Sequence, residues 1–235
     1  MAVYIISDLH LSLEVKKPMD VFGPEWKNHD EKLLKNWNDI VSEDDTVLVP
    51  GDISWALKKK DAKKDLDFIN KTLKGKKIFV RGNHDYWWHS VTKLNEEYSN
   101  IYFLQHTAVI AENFIVTGVR GWLCPDDKNF KTTTDKRIYE RELLRLEMSL
   151  KMGKELENKK NDAKLISITH FPPTGDQKKA IEFTKLFEKY KVKKVFYGHL
   201  HTNKGYNRSI QGEFNGIEYE LISSDYLNFI PKKIT

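Results

Sequence analysis

Short runs of β-branched and aromatic residues recur along the chain, and each ends abruptly in polar residues. Turn-bounded runs of this kind are typical of buried β-strands. Helical patterns fill the gaps at about 30–41, 61–73 and 178–190. This alternation predicts βαβ units and a parallel sheet. The five clearest runs are VYIIS before Asp8, TVLVP before Gly51, KIFVR before Gly82, LISIT before His170 and KVFY before Gly198.

The long stretch between Arg81 and Leu165 contains further elements. A helix near 90–98 is followed by the strand-like runs IYFL, AVIA and FIVTGVRGW, and then by a charged helix at about 135–157. Near the C-terminal end, GYNRSIQ and IEYELIS have the pattern of antiparallel strands around the Gly/Asn turn in GEFNG. We therefore expect two sheets with helices outside them. Because no repeat or linker interrupts the pattern, we predict a single domain over residues 1–235.

The composition fits a globular α/β protein and favours one type of cellular compartment. Hydrophobic residues make up 40% of the 235 residues and charged residues 31%, which is ordinary for such proteins. Cys124 is the one cysteine, so an intramolecular disulfide is excluded and a reducing compartment is favoured. Neither a signal-peptide pattern nor an apolar run of ~18 residues is present. We therefore expect a cytoplasmic protein that does not contact membranes.

The formal net charge is +5, and the excess lies in runs such as LKKKDAKKD and KYKVKKV. These runs alternate with acids or flank apolar residues, which favours solvated helix faces and strand edges. Nucleic acid is therefore a weaker hypothesis for a partner than a small molecule.

Residue types that bind metals follow each of the five strand-like runs. The carboxyl ends of parallel strands share one edge, so these side chains should converge there. A single Asp or His at such a place is more often a turn residue, but five of the eight histidines lie at these ends. The set is Asp8, His10, Asp52, Asn83, His84, Asp85, His170, His199 and His201.

A mixed shell of carboxylate, amide and imidazole groups suits divalent ions such as Mn, Fe, Zn or Co. The absence of cysteine from the set argues against a structural zinc site. A central carboxylate could bridge two such ions, in the paired geometry used for displacement at phosphorus.

The ordered motifs D-x-H, G-D, G-N-H-D, H and G-H-x-H resemble those of the calcineurin-like metallophosphoesterase superfamily, over residues 8–201. The pairing of DISWA with GNHDYWW is also similar to a bacterial group of predicted phosphohydrolases. The resemblance implies an α/β fold, a four-layer α/β/β/α sandwich with two mixed β-sheets. It further implies a metal-dependent phosphoesterase that cleaves a small phosphomonoester or phosphodiester by attack of a metal-bridging hydroxide.

The resemblance also implies a role for each motif residue, with two divalent metal ions as cofactors. The first ion would be held by Asp8, His10 and His201, the second by Asn83, His170 and His199, and Asp52 would bridge both. His84 would bind no metal and would protonate the leaving oxygen or stabilise the transition state. Asp85 would fix the tautomer of His84.

At two positions the sequence differs from relatives of known chemistry, and each difference makes one activity less expected. In purple acid phosphatases a tyrosine that binds ferric iron ends the second motif, whereas Trp55 stands there in this chain. A tyrosinate-bound iron is therefore not expected. Relatives that hydrolyse UDP-diacylglucosamine have Arg at the position of His84, which disfavours that substrate.

Several alternatives stay open on sequence alone. A nuclease or other nucleic-acid phosphoesterase is the first alternative function, and a non-catalytic scaffold is less favoured because every ligand position is filled. The loop at 11–29 either covers the site, with Lys16, Lys17 and His29 as substrate contacts, or lies free on the surface. Arg81 and Arg120 either clamp phosphate oxygens or serve structure. An aromatic wall at the site or ordinary packing would account for Trp55, Tyr86, Trp87, Trp88 and Trp122.

Overall fold

Strands and helices alternate along most of the chain in the computed structural model, which describes residues 1–160 and 162–234. The strands are β1 (Val3–Ile5), β2 (Thr46–Pro50), β3 (Lys76–Val80), β4 (Ile101–Phe103), β5 (Ala108–Ala111), β6 (Phe114–Val119), β7 (Lys164–Thr169), β8 (Lys194–Tyr197), β9 (Gly212–Phe214), β10 (Ile217–Leu221) and β11 (Lys232–Ile234). The helices are α1 (His29–Ile40), α2 (Lys59–Thr72), α3 (Val91–Glu97), α4 (Thr132–Glu157), α5 (Glu182–Lys189) and α6 (Thr202–Tyr206). Two 3₁₀ turns, Asp20–Phe22 and Pro24–Trp26, lie in the loop after β1.

The strands form two mixed sheets, as predicted. The first sheet has the order β11-β1-β2-β3-β4, and the second has the order β5-β6-β7-β8-β10-β9. Parallel pairs make up the middle of each sheet. Antiparallel pairs lie at the edges, where β11 joins β1, β5 joins β6 and β9 joins β10.

Alternation of side chains along the strands produces the four layers. In β2, Val47 and Val49 pack under the helices of the first sheet, whereas Leu48 points into the core between the sheets. In β7, Leu165 packs under the helices of the second sheet, whereas Ile166 faces Leu48 in the central core. Both faces of β2 and β7 are therefore buried, which explains why these runs are continuously apolar. The predicted α/β/β/α sandwich is confirmed.

The region before β10 differs from the prediction. GYNRSIQ does not form a strand, because α6 occupies 202–206 and the strand β9 begins only at Gly212. The tight turn consists of Asn215 and Gly216, both with positive φ (50° and 76°), as a two-residue hairpin turn requires. The short strand β11 carries no recognisable pattern and is absent from the predicted elements.

The charged helix near the middle of the chain is longer than predicted, running from Thr132 to Glu157. Within residues 1–160 and 162–234, no helix combines the length and the apolar character needed to cross a membrane.

Candidate active site

Four of the predicted metal-binding residues have a left-handed backbone, which non-glycine residues rarely adopt. The φ angles are 61° at Asp8, 46° at His10, 51° at Asp52 and 69° at His199. Backbone hydrogen bonds hold the first two loops together, since the Asp8 amide donates to the Gly51 carbonyl (3.0 Å) and the His10 amide to the Asp52 carbonyl (2.9 Å). Strained backbone of this kind persists where the surrounding structure holds it, typically at functional sites.

Two glycines allow the loops to approach one another. A Cβ on Gly82 would lie 2.1 Å from Oδ1 of Asp52, and a Cβ on Gly198 would lie 2.3 Å from Oδ2 of Asp8. Any side chain at either position would displace one of the two carboxylates. The glycines of the GNHD and GHLH motifs therefore serve the positioning of aspartates that lie far away in sequence.

The strand ends bring all seven predicted metal-binding side chains together in two adjoining clusters. Potential ligand atoms lie within 4.8 Å of one another in each cluster. Asn83 joins the second cluster, with its Oδ1 2.7 Å from Nε2 of His170. The first cluster is Asp8, His10 and His201, and the second is Asp52, His170 and His199.

Asp52 lies where the two clusters meet. Its Oδ2 is 3.4 Å from Nε2 of His170, in the second cluster, and 3.8 Å from Nε2 of His10, in the first. Its Oδ1 accepts a hydrogen bond from the backbone amide of His84 (2.8 Å). The carboxylate is therefore fixed by one oxygen and directs the other between the clusters.

Burial pushes the groups of both clusters toward their neutral forms. It raises the pKa of Asp8 to about 6, and burial together with neighbouring carboxylates raises the pKa of Asp52 well above its usual range. Burial and the adjacent imidazoles lower the pKa of His199 to about 3 and the pKa values of His10 and His170 well below normal. These histidines are therefore neutral at pH 7, the form that binds metals.

The donor set fits divalent cations. His10 and His201 bring their Nε2 atoms to 3.4 Å, and Nδ1 of His199 lies 3.2 Å from Nε2 of His170. Ring nitrogens crowded this closely around buried carboxylates form a hydrogen-bonded set only through particular tautomers, whereas a cation accepts all of them as ligands. Mixed oxygen and nitrogen donors of this kind suit Mn, Fe, Zn or Co.

A residue absent from the sequence prediction completes the first cluster. Asp225 accepts a hydrogen bond from Nδ1 of His201 (2.8 Å) and from the hydroxyl of Tyr206 (3.0 Å). Burial alone would lower the pKa of His201, but the bond to Asp225 and the charge of Asp8 raise it overall. The Asp225 contact occupies Nδ1 of His201 and leaves Nε2 facing Asp8 (3.7 Å), an arrangement typical of imidazoles that bind metals.

The predicted pairing of Asp85 with His84 is wrong. The buried Asp85 carboxylate accepts hydrogen bonds from the backbone amides of Ile53 (2.9 Å) and Gly82 (2.8 Å) and from the indole of Trp87 (3.1 Å). Its acceptor positions are used in holding the Asp52 loop to the GNHD loop. Asp85 therefore positions backbone, and it is not the residue that sets the tautomer of His84.

His84 itself lies beside Asp52. Its Nε2 lies 3.9 Å from Oδ2 of Asp52, and its ring packs on Trp55 with 4.1 Å between centroids. Burial, together with the charges of Lys17 and His201, lowers the pKa of His84 to about 4. The ring is therefore neutral at pH 7 in the free protein.

A cavity of about 150 Å³ opens above the two clusters. The loop at 11–29 contributes Met19, Phe22 and Trp26 to its wall, which also contains His84. Lys17 stands 4.2 Å above the ring of Trp55. Of the two sequence interpretations of this loop, a cover over the site is the one that agrees with the structure.

Other residues left open by the sequence belong to the core. Trp87 and Trp88 are buried and pack against Phe103, with 4.9 Å between the rings of Trp88 and Phe103. His29 holds the loop that carries His10, since its Nε2 lies 3.2 Å from the carbonyl of His10. The aromatic residues at the cavity are instead Trp26 and Trp55.

The family model of calcineurin-like phosphoesterases matches residues 1–203. An uncharacterized protein of Methanocaldococcus jannaschii is 34% identical over 84 residues, which is 35% of this chain and 46% of that protein. The chain thus spans about half the length of this relative.

Two solved structures share the fold. A protein of unknown function from Aquifex aeolicus superimposes with a TM-score of 0.54 at 20% identity, covering 99% of this chain and 95% of that one. A protein of Thermus thermophilus gives a TM-score of 0.53 at 13% identity, covering 85% of this chain and 81% of that one. At these identities the likeness concerns the fold alone.

Proposed function

The chain belongs to the calcineurin-like phosphoesterase family, and from that premise we propose that it is a two-metal phosphohydrolase acting on a small phosphate ester. Membership of the family supports metal-dependent hydrolysis of phosphate esters in general. The dinuclear centre, the roles of individual residues and the substrate class are the parts that we add.

The position of Asp52 is the observation that carries the proposal. One of its oxygens lies between a cluster of Asp8, His10 and His201 and a cluster of His170 and His199 that Asn83 joins. A carboxylate in that position could serve as a ligand to both ions of a two-metal centre. Bound there, two divalent ions would neutralise phosphate charge and supply an activated water.

The predicted ligands would then hold the two ions as follows. Asp8, His10 and His201 would hold one ion, Asn83, His170 and His199 the other, and Asp52 both. Asp225 would keep His201 in the right tautomer. All of these side chains come from strand ends of a buried sandwich, so their positions are fixed before substrate arrives.

His84 would act on the leaving-group oxygen. Because its pKa is lowered to about 4, the neutral ring is the dominant form at pH 7. A neutral imidazole donates a hydrogen bond from its N–H, so His84 would stabilise the charge that develops on the departing oxygen. Of the two roles suggested by sequence, transition-state stabilisation is therefore favoured over full protonation.

The cavity favours a small substrate over nucleic acid. Its volume is about 150 Å³, and the loop with Met19, Phe22 and Trp26 covers the approach to His84. Its walls are mainly apolar and aromatic, and Lys17 lies over the ring of Trp55, which is part of the wall. We propose a phosphorylated small molecule whose ester group carries an apolar or aromatic part next to the phosphate.

The test is a phosphate-release assay on the full chain loaded in turn with Mn, Zn, Fe and Co. We expect hydrolysis of p-nitrophenyl phosphate or its bis ester that EDTA abolishes and metal restores. The Asp52→Asn variant should lose activity by at least ~10³-fold, while the exposed Asp39→Asn variant should retain it. Hydrolysis that persists after complete metal removal, or its absence with every metal over a panel of phosphometabolites, would refute the proposal.

A further inference from the structure

A cluster of arginines lies where the carboxyl ends of β3, β4 and β6 meet the helix α4, which supplies Arg141 and Arg145. A cavity of about 130 Å³ opens among them, separate from the cavity over the metal clusters. We call it the arginine pocket. Its polar lining consists of Arg81, Gln105, His106, Arg120, Arg141, Glu142 and Arg145.

One carboxylate lies within salt-bridge distance of three of these arginines. Oε1 of Glu142 lies 2.8 Å from Nη1 of Arg145, 3.2 Å from Nη2 of Arg141 and 3.5 Å from Nη2 of Arg120. Glu142 is fully buried. A single negative charge cannot neutralise the surrounding guanidinium groups, so the pocket has an excess of positive charge.

Two of the arginines keep free hydrogen-bond donors. Nε of Arg81 donates to the carbonyl of Asp85 (3.1 Å), and no carboxylate lies within salt-bridge distance of Arg81 among the residues that the structure describes. The buried Nε of Arg120 finds no hydrogen-bond partner in the same set of residues. A buried donor without a partner is costly. The buried Oε2 of Glu142 also lacks a partner among these residues, so the missing group must accept from Arg120 and donate to Glu142, as a protonated oxyanion can.

The pocket has the size and chemistry for a tetrahedral oxyanion. At ~30 Å³ for each water molecule, its volume corresponds to roughly four waters, close to a phosphate group. Guanidinium groups bind phosphate through paired N–H donors and stay charged even when partly buried. Burial lowers the pKa of Arg120 to about 10, and Arg120 is still fully charged at pH 7.

We propose that the arginine pocket binds an oxyanion of the phosphate class, as a site distinct from the metal clusters. Two segments of the chain connect the pocket to the metal clusters. Arg81 immediately precedes the GNHD motif. The carbonyl of Arg120 accepts a hydrogen bond (2.8 Å) from the amide of Phe171, next to His170. The anion is either a second phosphate on the substrate or a free phosphate ion. Only the first of these rests on the proposed function.

The experiment is calorimetric titration of the zinc-loaded full chain with inorganic phosphate. We expect a binding event that Arg145→Gln weakens about tenfold or more, while any binding at the metal clusters is unchanged. Arg137→Gln is the matched control, since it removes the same charge from an exposed position of the same helix. Arg141→Gln, half-exposed, is the second variant if Arg145→Gln does not fold.

A measurement on the unmutated protein keeps the proposal independent of folding defects. The Nε–H resonances of Arg81 and Arg120 should shift as phosphate is added. Equal phosphate affinity in all variants, or resonances that do not move, would overturn the proposal. An increase in KM in Arg145→Gln for bisphosphorylated substrates only would assign the anion to the substrate, whereas an unchanged KM with weakened phosphate binding would assign it to a free ion.

Discussion

The side chains at the site are held by different contacts, and these contacts determine the expected effect of replacing each residue. Asp52 is fixed by the amide of His84 through one oxygen and directs the other between the clusters. His201 is fixed by Asp225. His84 makes ring contacts with Trp55 and lies 3.9 Å from Asp52. Its side chain is 34% exposed, against 2% for Asp52 and 25% for His201, so it is more open to a substrate than either.

Replacing Asp225 with Asn should weaken metal binding. The variant removes the negative charge that orients His201 and raises its basicity, and losses of such partners typically cost about 10–100-fold in metal affinity. Competitive titration with a chelator measures the change. Asp39→Asn, an exposed surface aspartate, is the control. Unchanged affinity in Asp225→Asn would show that His201 does not bind metal through the nitrogen opposite this contact.

Replacing His84 with Ala should leave the metal content unchanged and slow hydrolysis by about 10²–10³-fold. The loss should be greatest for esters with poor leaving groups, because they develop most charge on the departing oxygen. Rates for a series of substituted phenyl phosphates, with metal content measured in parallel, test this. Equal losses across the series would rule out a role at the leaving oxygen.

At the scale of secondary-structure elements, the strand ends could be predicted because they are local. An apolar run followed by Asp, Asn or His is visible in a few adjacent residues, and the parallel arrangement then brings the ends together. Asp225 follows β10 in a similar way, but the prediction paired that strand only with an antiparallel neighbour. In the structure β10 also runs parallel to β8, which brings its carboxyl end to the site.

The cover of the cavity could not be predicted for a different reason. Met19, Phe22 and Trp26 lie in a loop without periodicity, and their positions depend on contacts distant in sequence, such as Trp26 with Phe229 (5.1 Å between rings). The Asp85 error has a similar origin. An Asp next to a His suggests a hydrogen-bonded pair. In the structure the backbone amides of Ile53 and Gly82 donate hydrogen bonds to the Asp85 carboxylate instead.

Lys77, near the start of β3, lowers the stability of the folded protein, and replacing it should raise that stability. Lys77 is 1% exposed, and burial lowers its pKa to about 8. The shift corresponds to at most about 3 kcal/mol against the folded state at pH 7. We expect Lys77→Met to raise the free energy of unfolding by about 1–2 kcal/mol at pH 7, since the bond from Nζ to the Leu73 carbonyl is lost in exchange.

The sign of the pH dependence follows from the same shift. Between pH 8 and the ordinary lysine pKa of 10.5, the unfolded state binds more protons than the folded state, so the stability of the unmodified protein rises with pH in that window. Lys77→Met should lack this rise. Urea denaturation at pH 7 and pH 10 measures both, with the exposed Lys76→Met as control. A variant less stable than the unmodified protein at pH 7 would contradict the expectation.

At the scale of the whole molecule, the site joins the two sheets. Asp8, Asp52 and Asn83 follow strands of the first sheet, whereas His170 and His199 follow strands of the second. Metal ions held by both groups would therefore cross-link the sandwich at one edge. Without them, the burial of these carboxylates and imidazoles works against folding, as their shifted pKa values indicate.

Metal removal should therefore lower the melting temperature. Free metal at 100 times its Kd would stabilise the folded state by about 2.7 kcal/mol, which for a chain of this size corresponds to roughly 5–10 °C. Differential scanning calorimetry with and without EDTA measures the effect. Asp52→Asn should respond less to metal than the unmodified protein. Identical melting curves with and without metal would show that the clusters bind no ion with useful affinity.

The pairing of β1 with β11 bears on the order in which the chain can fold. Val3 lies opposite Ile234, so the first strand completes its sheet only after almost the whole sequence is available. Pairing over such a separation requires closure of a very long loop, and proteins dominated by distant contacts fold slowly. Until β11 is available, β1 has one unpaired edge, and an unpaired strand edge can pair with other chains.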